Sequence, residues 1–348
     1  MSAAAEPGSA EARAMTADVA AEPGGPNHGH TPDTDVLSDA WQYTRSADGT
    51  RIAWRRDAPG SGLSRSQTPV VLCNGIACST AYWTALASAL ARQRPVVQWD
   101  YRGHGRSGPP VRRAAVAVND VVDDLRAVMA AAAIDDAVIA GHSYGVQVAL
   151  EAARTLPDRV AAVVAVAGAA GTPYSSVVTR SGIGPIDLLE RAHATMPGRS
   201  GVAWRAWWRS PWIGLLARAL GGTSARVPAD VMAAYYHHVA DRDVGVLTAM
   251  LRAMADHDAF DVVRSLTVPL LVLAGDADRL TTLPVMSRMA LAAPEGELVV
   301  CHGATHTLPA EQPEWVAGQL RPLLARIDGR RRRRTTAPRG EGSTCTRR

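Results

Sequence analysis

Gly141-His142-Ser143-Tyr144-Gly145 is the stretch on which the fold turns. Before it lies Ala137-Val138-Ile139-Ala140, an apolar run of strand length. After it, Val146, Ala149, Leu150 and Ala153 recur at helical spacings of three and four. A strand, a sharp turn and a helix, with a serine at the apex, form the context in which Gly-x-Ser-x-Gly reads as a nucleophile elbow. The glycines have a steric task. Strand and helix nearly touch two residues either side of the serine, and a β-carbon at 141 or 145 would clash. An ordinary strand-to-helix loop is the plain alternative.

Outward from the elbow, strands alternate with helices. Trp41-Gln42-Tyr43-Thr44 and Arg51-Ile52-Ala53-Trp54 alternate around Asp48-Gly49, which predicts a hairpin. Strands are predicted at 70–73, 96–99, 137–142, 160–168, 269–273 and 297–301. Helices are predicted at 80–91, 119–132 with Asn119 as N-cap, 145–156 ended by Pro157, 284–292, and 311–327 with Pro322 as a candidate kink. This alternation predicts an α/β protein, a mostly parallel central sheet flanked by helices. From Gly171 to Leu266 the strand rhythm stops, and a helical insertion is predicted at the carboxyl ends of the strands. It carries Trp204, Trp207, Trp208, Trp212, Tyr235 and Tyr236, read either as the lining of a pocket or as the insertion's own core. The predicted organisation is a disordered arm over 1–38, a core over 39–170 and 267–327, a helical cap over 171–266 and a basic disordered tail over 328–348.

Composition excludes several chemistries. The chain has 348 residues and no lysine, so all 37 basic residues are arginine. Schiff-base and P-loop chemistry therefore drop out. Cys73, Cys78, Cys301 and Cys345 form no Cys-x-x-Cys pair, and no zinc site is expected. Residues 328–348 hold eight arginines against Asp328 and Glu341, a net of +6, which leaves −2 of the total +4 for the rest of the chain. The basic balance thus belongs to the tail, and no nucleic-acid partner is expected. No run reaches the roughly 20 apolar residues of a membrane span, and the start lacks a signal-peptide pattern, so the expected location is cytoplasmic. Nothing in the sequence sets an oligomeric state.

An activated serine needs a base, and the base needs an orienting acid, in the chain order Ser, Asp or Glu, His. Gly275-Asp276-Ala277-Asp278 follows one late strand, and Gly303-Ala304-Thr305-His306 follows the next. Asp100-Tyr101-Arg102-Gly103-His104-Gly105-Arg106-Ser107 follows an early strand. With these motifs the chain resembles the α/β-hydrolase family over about residues 41–327. The resemblance implies an α/β-hydrolase fold with a cap, Ser143 as nucleophile, His306 as base and Asp278 as acid, with Asp276 as the rival. It further implies an oxyanion hole of two backbone N–H groups, from Tyr144 and from Ile76 in Asn74-Gly75-Ile76-Ala77. Asn74 stands where the family usually has histidine, and Val146 where many members have glycine.

The implied reaction is hydrolysis of an ester or related acyl bond of a small-to-medium hydrophobic substrate through an acyl-enzyme on Ser143, with no metal and no organic cofactor. Lactonase, C–C hydrolase, acyltransferase and cofactor-free peroxidase chemistries stay open, as does a non-catalytic small-ligand binding protein. Other histidines have plainer readings. His104 is read as a structural loop residue, His142 as a packed neighbour of Ser143 and His302 as a surface residue. His237-His238 lacks a carboxylate at ligand spacing.

Overall fold

The structure, a computed structural model, describes residues 40–58, 67–171 and 185–336. The predicted arm over 1–38, Cys345 and the end of the tail lie outside the described residues.

The hairpin strands are β1 (Gln42–Arg45) and β2 (Arg51–Asp57). Gly49, at φ +88°, makes their turn, and Asp48 Oδ1 accepts the Thr50 N–H at 3.0 Å. Then come β3 (Val70–Cys73), β4 (Val96–Trp99), β5 (Ala137–His142), β6 (Val160–Val166), β7 (Leu270–Gly275) and β8 (Gly296–Cys301). The sheet order is β1-β2-β4-β3-β5-β6-β7-β8. β2 pairs antiparallel with β1 and β4; every other pairing is parallel.

The helices flanking the sheet are α1 (Thr84–Ala91), α2 (Val118–Ala131) and α3 (Tyr144–Thr155). Six more, α4 (Pro185–Thr195), α5 (Pro197–Trp208), α6 (Trp212–Ala219), α7 (Ala229–Ala240), α8 (Val244–Asp256) and α9 (Phe260–Ser265), lie between β6 and β7. The last are α10 (Leu283–Ala292), α11 (Leu308–Glu311) and α12 (Pro313–Thr336). Continuous apolar strands are needed because both sheet faces are covered. In β3, Val70 and Leu72 join the core under α1 and α12, while Val71 and Cys73 join the core under α2 and α3. That is the period-two alternation of a strand.

Of the boundaries that differ from the sequence reading, three have a visible cause. Asn119 does not cap α2, which begins one residue earlier; Asp120 Oδ2 accepts the Ala117 N–H at 2.9 Å and secures that end instead. β6 stops at Val166 because the chain turns there to pass behind Ser143. α12 does not stop at 327 but runs to Thr336, so the first part of the expected disordered tail is helical. The cause is Asp328. It is buried, accepts the Thr68 N–H at 2.8 Å and pairs with Arg94 at 3.3 Å, which holds the helix against the sheet past residue 327. Arg330 then meets Glu295 and Arg331 meets Asp136, both at 3.0 Å.

Removing one member of a buried ion pair leaves the other uncompensated. Asp328→Ala is therefore expected to lower unfolding stability by about 3–5 kcal/mol, measured by denaturant titration. Unchanged stability would contradict the anchoring role given to Asp328.

Candidate active site

Ser143 sits at φ +53° and ψ −118°, a conformation rarely taken by a residue with a side chain. The turn is enforced by contact on three sides. A β-carbon on Gly141 would lie 2.1 Å from the Gly145 carbonyl oxygen. One on Gly145 would lie 2.2 Å from the Cys73 carbonyl oxygen, and one on Gly168 2.6 Å from that of Ser143. Val146 is accommodated because Gly168 opposite it has no side chain; a β-carbon there would lie 2.5 Å from Val146 Cγ2.

The loops after β7 and β8 bring two further groups to the serine. His306 Nε2 lies 3.0 Å from Ser143 Oγ, and His306 Nδ1 lies 3.0 Å from Asp278 Oδ2. Asp278 is buried and fully engaged. Its Oδ1 accepts the N–H groups of Leu280 and Thr281, at 2.8 and 2.9 Å, and its Oδ2 accepts the Thr281 hydroxyl at 2.6 Å. Burial pushes this carboxyl up, but the charge and hydrogen bond of His306 and the bonds from Thr281 outweigh it, and Asp278 is held below the usual carboxylate range. The rival, Asp276, faces elsewhere. It accepts the Gly303 N–H at 2.6 Å and meets His302 Nδ1 at 2.9 Å on the surface. The structure thus joins Ser143, His306 and Asp278, and leaves Asp276 outside.

Tyr144 opens α3, so its backbone N–H has no acceptor within the helix. The loop carrying Ile76 lies against the elbow, since a β-carbon on Gly75 would come within 2.9 Å of His142 Nδ1. Three side-chain bonds fix this loop. Asn74 Nδ2 donates to the Trp99 carbonyl at 2.8 Å, the Tyr101 hydroxyl donates to the Asn74 carbonyl at 2.7 Å, and His104 Nε2 accepts the Ala77 N–H at 3.2 Å. His104 is more than the loop former read from sequence. Its Nδ1 lies 3.0 Å from the Arg102 carbonyl, which assigns the proton to Nδ1 and frees Nε2 to accept. The available signal was a histidine between two glycines that both adopt positive φ, 72° and 50°, at the end of a central strand.

His142 is buried and stacks on Tyr82, with ring centroids 5.0 Å apart. Its Nε2 lies 2.9 Å from the His306 carbonyl, so it also holds the backbone of His306. His302 is exposed, and His238 packs beside His104 with ring centroids 6.1 Å apart. The aromatic group of residues 204–236 is divided. Trp204, Trp208, Tyr235 and Tyr236 make ring contacts with one another, while Trp207 and Trp212 face solvent. Ile76, Trp204, Trp208 and Tyr235 all pack against one buried cluster of Ala77, Val239 and Leu247.

The family described as serine aminopeptidase, S33, matches residues 64–313. The chain belongs to this α/β-hydrolase family. The hydrolase is 26% identical over 290 residues to a 2-(acetamidomethylene)succinate hydrolase from Mesorhizobium japonicum, covering 80% of this chain and 94% of that one. It is 31% identical over 117 residues to a proline iminopeptidase from Heyndrickxia coagulans, a match spanning 39% of that protein. Its fold is that of the enol-lactonase from Burkholderia xenovorans LB400, with a TM-score of 0.63, 20% identity, and coverage of 82% and 100% of the two chains. No described helix is long and apolar enough to cross a membrane.

Burial lowers the proton affinity of His104 from the ordinary 6.5 to about 4, and of His142 to about 3, so both are neutral in the folded hydrolase. In the unfolded chain they protonate below pH 6.5. The unfolded state then binds more protons, so stability is full above about 6.5 and falls with acidification toward about 4, by up to about 1.4 kcal/mol per pH unit for each imidazole. Denaturant titrations across this range should show that slope, and His142→Phe should flatten it. Parallel pH profiles for parent and variant would contradict the account.

Proposed function

We propose that this hydrolase cleaves an ester or related acyl bond of a small-to-medium hydrophobic substrate through an acyl-enzyme on Ser143. The observation that carries the proposal is the continuous hydrogen-bonded line from Ser143 Oγ through His306 to Asp278, with 3.0 Å at each step. A serine hydroxyl attacks a carbonyl only when a base takes its proton. His306 Nε2 is within reach of that proton, and Asp278 holds the ring with Nδ1–H toward its carboxylate and stabilises the imidazolium that forms. The tetrahedral intermediate places negative charge on the former carbonyl oxygen. The N–H groups of Ile76 and Tyr144 are the donors assigned to it, in an arrangement made rigid before substrate arrives by Asn74, Tyr101 and His104. Collapse expels the alcohol or amine, which takes the proton from His306. Water, deprotonated by His306, then attacks the acyl-enzyme and releases the acid, restoring Ser143.

The surroundings favour an apolar acyl group. Trp204, Trp208, Tyr235 and Leu251 lie on the Ile76 side of the site, packed on the same cluster as Ile76. The helices from α4 to α8 act, in this reading, as a cap that sets acyl size.

Three outcomes test the proposal. Ser143→Ala should lower turnover of an aryl ester by about 10⁴-fold or more. Asp278→Ala should cost roughly 10⁴-fold, while Asp276→Ala should keep near-parental turnover; the reverse order would move the acid to Asp276. A panel of aryl esters from acetate to long acyl chains should give a maximum at short or medium length. Equal rates along the series would contradict a cap that measures the acyl group.

A further inference from the structure

Helix α6 wears its apolar stripe on the outside. Trp212, Leu215, Leu216, Ala219 and, just past the helix end, Leu220 fall at spacings of three and four, and all are exposed. Such a stripe normally faces the core of a globular protein. Here only Ile213 of α6 is buried, and Gly214 approaches Tyr236 on the inner side. Trp212 is 67% exposed, Leu215 63% and Leu220 59%. Neighbouring α5 repeats the arrangement: Val202 and Trp207 are 61% and 49% exposed, with Ala203 and Ala206 between them also at the surface. One side chain of this kind would be ordinary; two successive helices that each carry an exposed apolar stripe present surface that needs a partner.

Charge identifies the partner's chemistry. Between Glu190 and Asp230 the chain carries six arginines and no acidic residue. Of these, Arg199, Arg205 and Arg218 are exposed on the same two helices as the stripes, and Arg209 pairs with Asp241. Tryptophan and leucine on one face with arginine at the flanks is the composition of helices that lie in a membrane–water interface. The combination disfavours a second copy of this face, because Arg199, Arg205 and Arg218 would meet their own copies across a self-complementary contact.

We propose that the outer faces of α5 and α6 dock on an anionic phospholipid surface. The helices are too short to span it and would lie along it, with Trp207, Trp212 and Leu216 in the headgroup–acyl boundary and Arg205 and Arg218 on the anionic headgroups. The inner side of α5 carries Trp204 and Trp208, which pack on the same buried cluster as Ile76. One helix therefore separates the lipid-facing surface from the site. The docking does not depend on which acyl bond is cleaved.

Vesicle flotation tests it with the full chain, using vesicles of phosphatidylcholine alone and vesicles also containing phosphatidylglycerol. The parent should float with the anionic vesicles, and added salt should weaken the association. The double variant Trp212→Ser, Leu216→Ser should remain unfloated, and Arg205→Gln with Arg218→Gln should lower partitioning by about tenfold or more. Both variants should retain the parent's circular dichroism and its turnover of a short water-soluble ester. Equal flotation with neutral vesicles, flotation of the Trp212/Leu216 variant like the parent, or no flotation of the parent would each overturn the proposal. So would a parent that dimerises by light scattering, is made monomeric by the same double substitution, and ignores vesicles; the face would then be a subunit contact.

Discussion

No β-carbon fits where β5 turns into α3, and the rest of the site follows from that. Gly141 and Gly145 let strand and helix close to contact, and Gly168 lets the chain after β6 pass behind the turn. Ser143 is thereby held at φ +53°, a strain of order 1–3 kcal/mol that persists only because the packing around it leaves no alternative. The same closure exposes the Tyr144 N–H at a helix start and lays the Ile76 loop against the elbow. A serine, a helix terminus and a second loop are brought together by one steric constraint.

Around this point the polar groups form successive supports. Asp278 orients His306, and Thr281 orients Asp278. His142 holds the His306 backbone from the strand side, and His104 holds the Ala77 N–H beside Ile76. Both supporting histidines are kept neutral by burial, so neither competes with His306 for a proton at neutral pH. The two imidazoles beside His306 thus act as fixed donors and acceptors.

Much of this was legible in the sequence because turn chemistry is local. The glycines at 141 and 145, the order of serine, aspartate and histidine, and their positions after apolar runs are all properties of short segments. The choice between Asp276 and Asp278 was not local: two residues apart in one loop, they face opposite ways because Asp276 closes on Gly303 and His302. The support given by His104 was hidden for the same reason, since its partner Ala77 lies 27 positions away. The arginine run after residue 329 reads as a solvated tail by composition, yet helix α12 continues through it because Asp328 is tied to Arg94 and Thr68, residues from the far end of the chain. The tryptophans of the helical segment showed no pattern as a set. They separate only once α5 and α6 are placed, with Trp204 and Trp208 facing in and Trp207 and Trp212 facing out.

The central claim is that Ser143 is a nucleophile activated by His306. Covalent labelling with a fluorophosphonate, followed by mass spectrometry of the digested protein, tests it without knowledge of the natural substrate. The account predicts a single adduct on the peptide containing Ser143, with labelling slowed strongly in His306→Ala. An unlabelled Ser143 in a protein that still turns over esters, or an adduct on another residue, would contradict it.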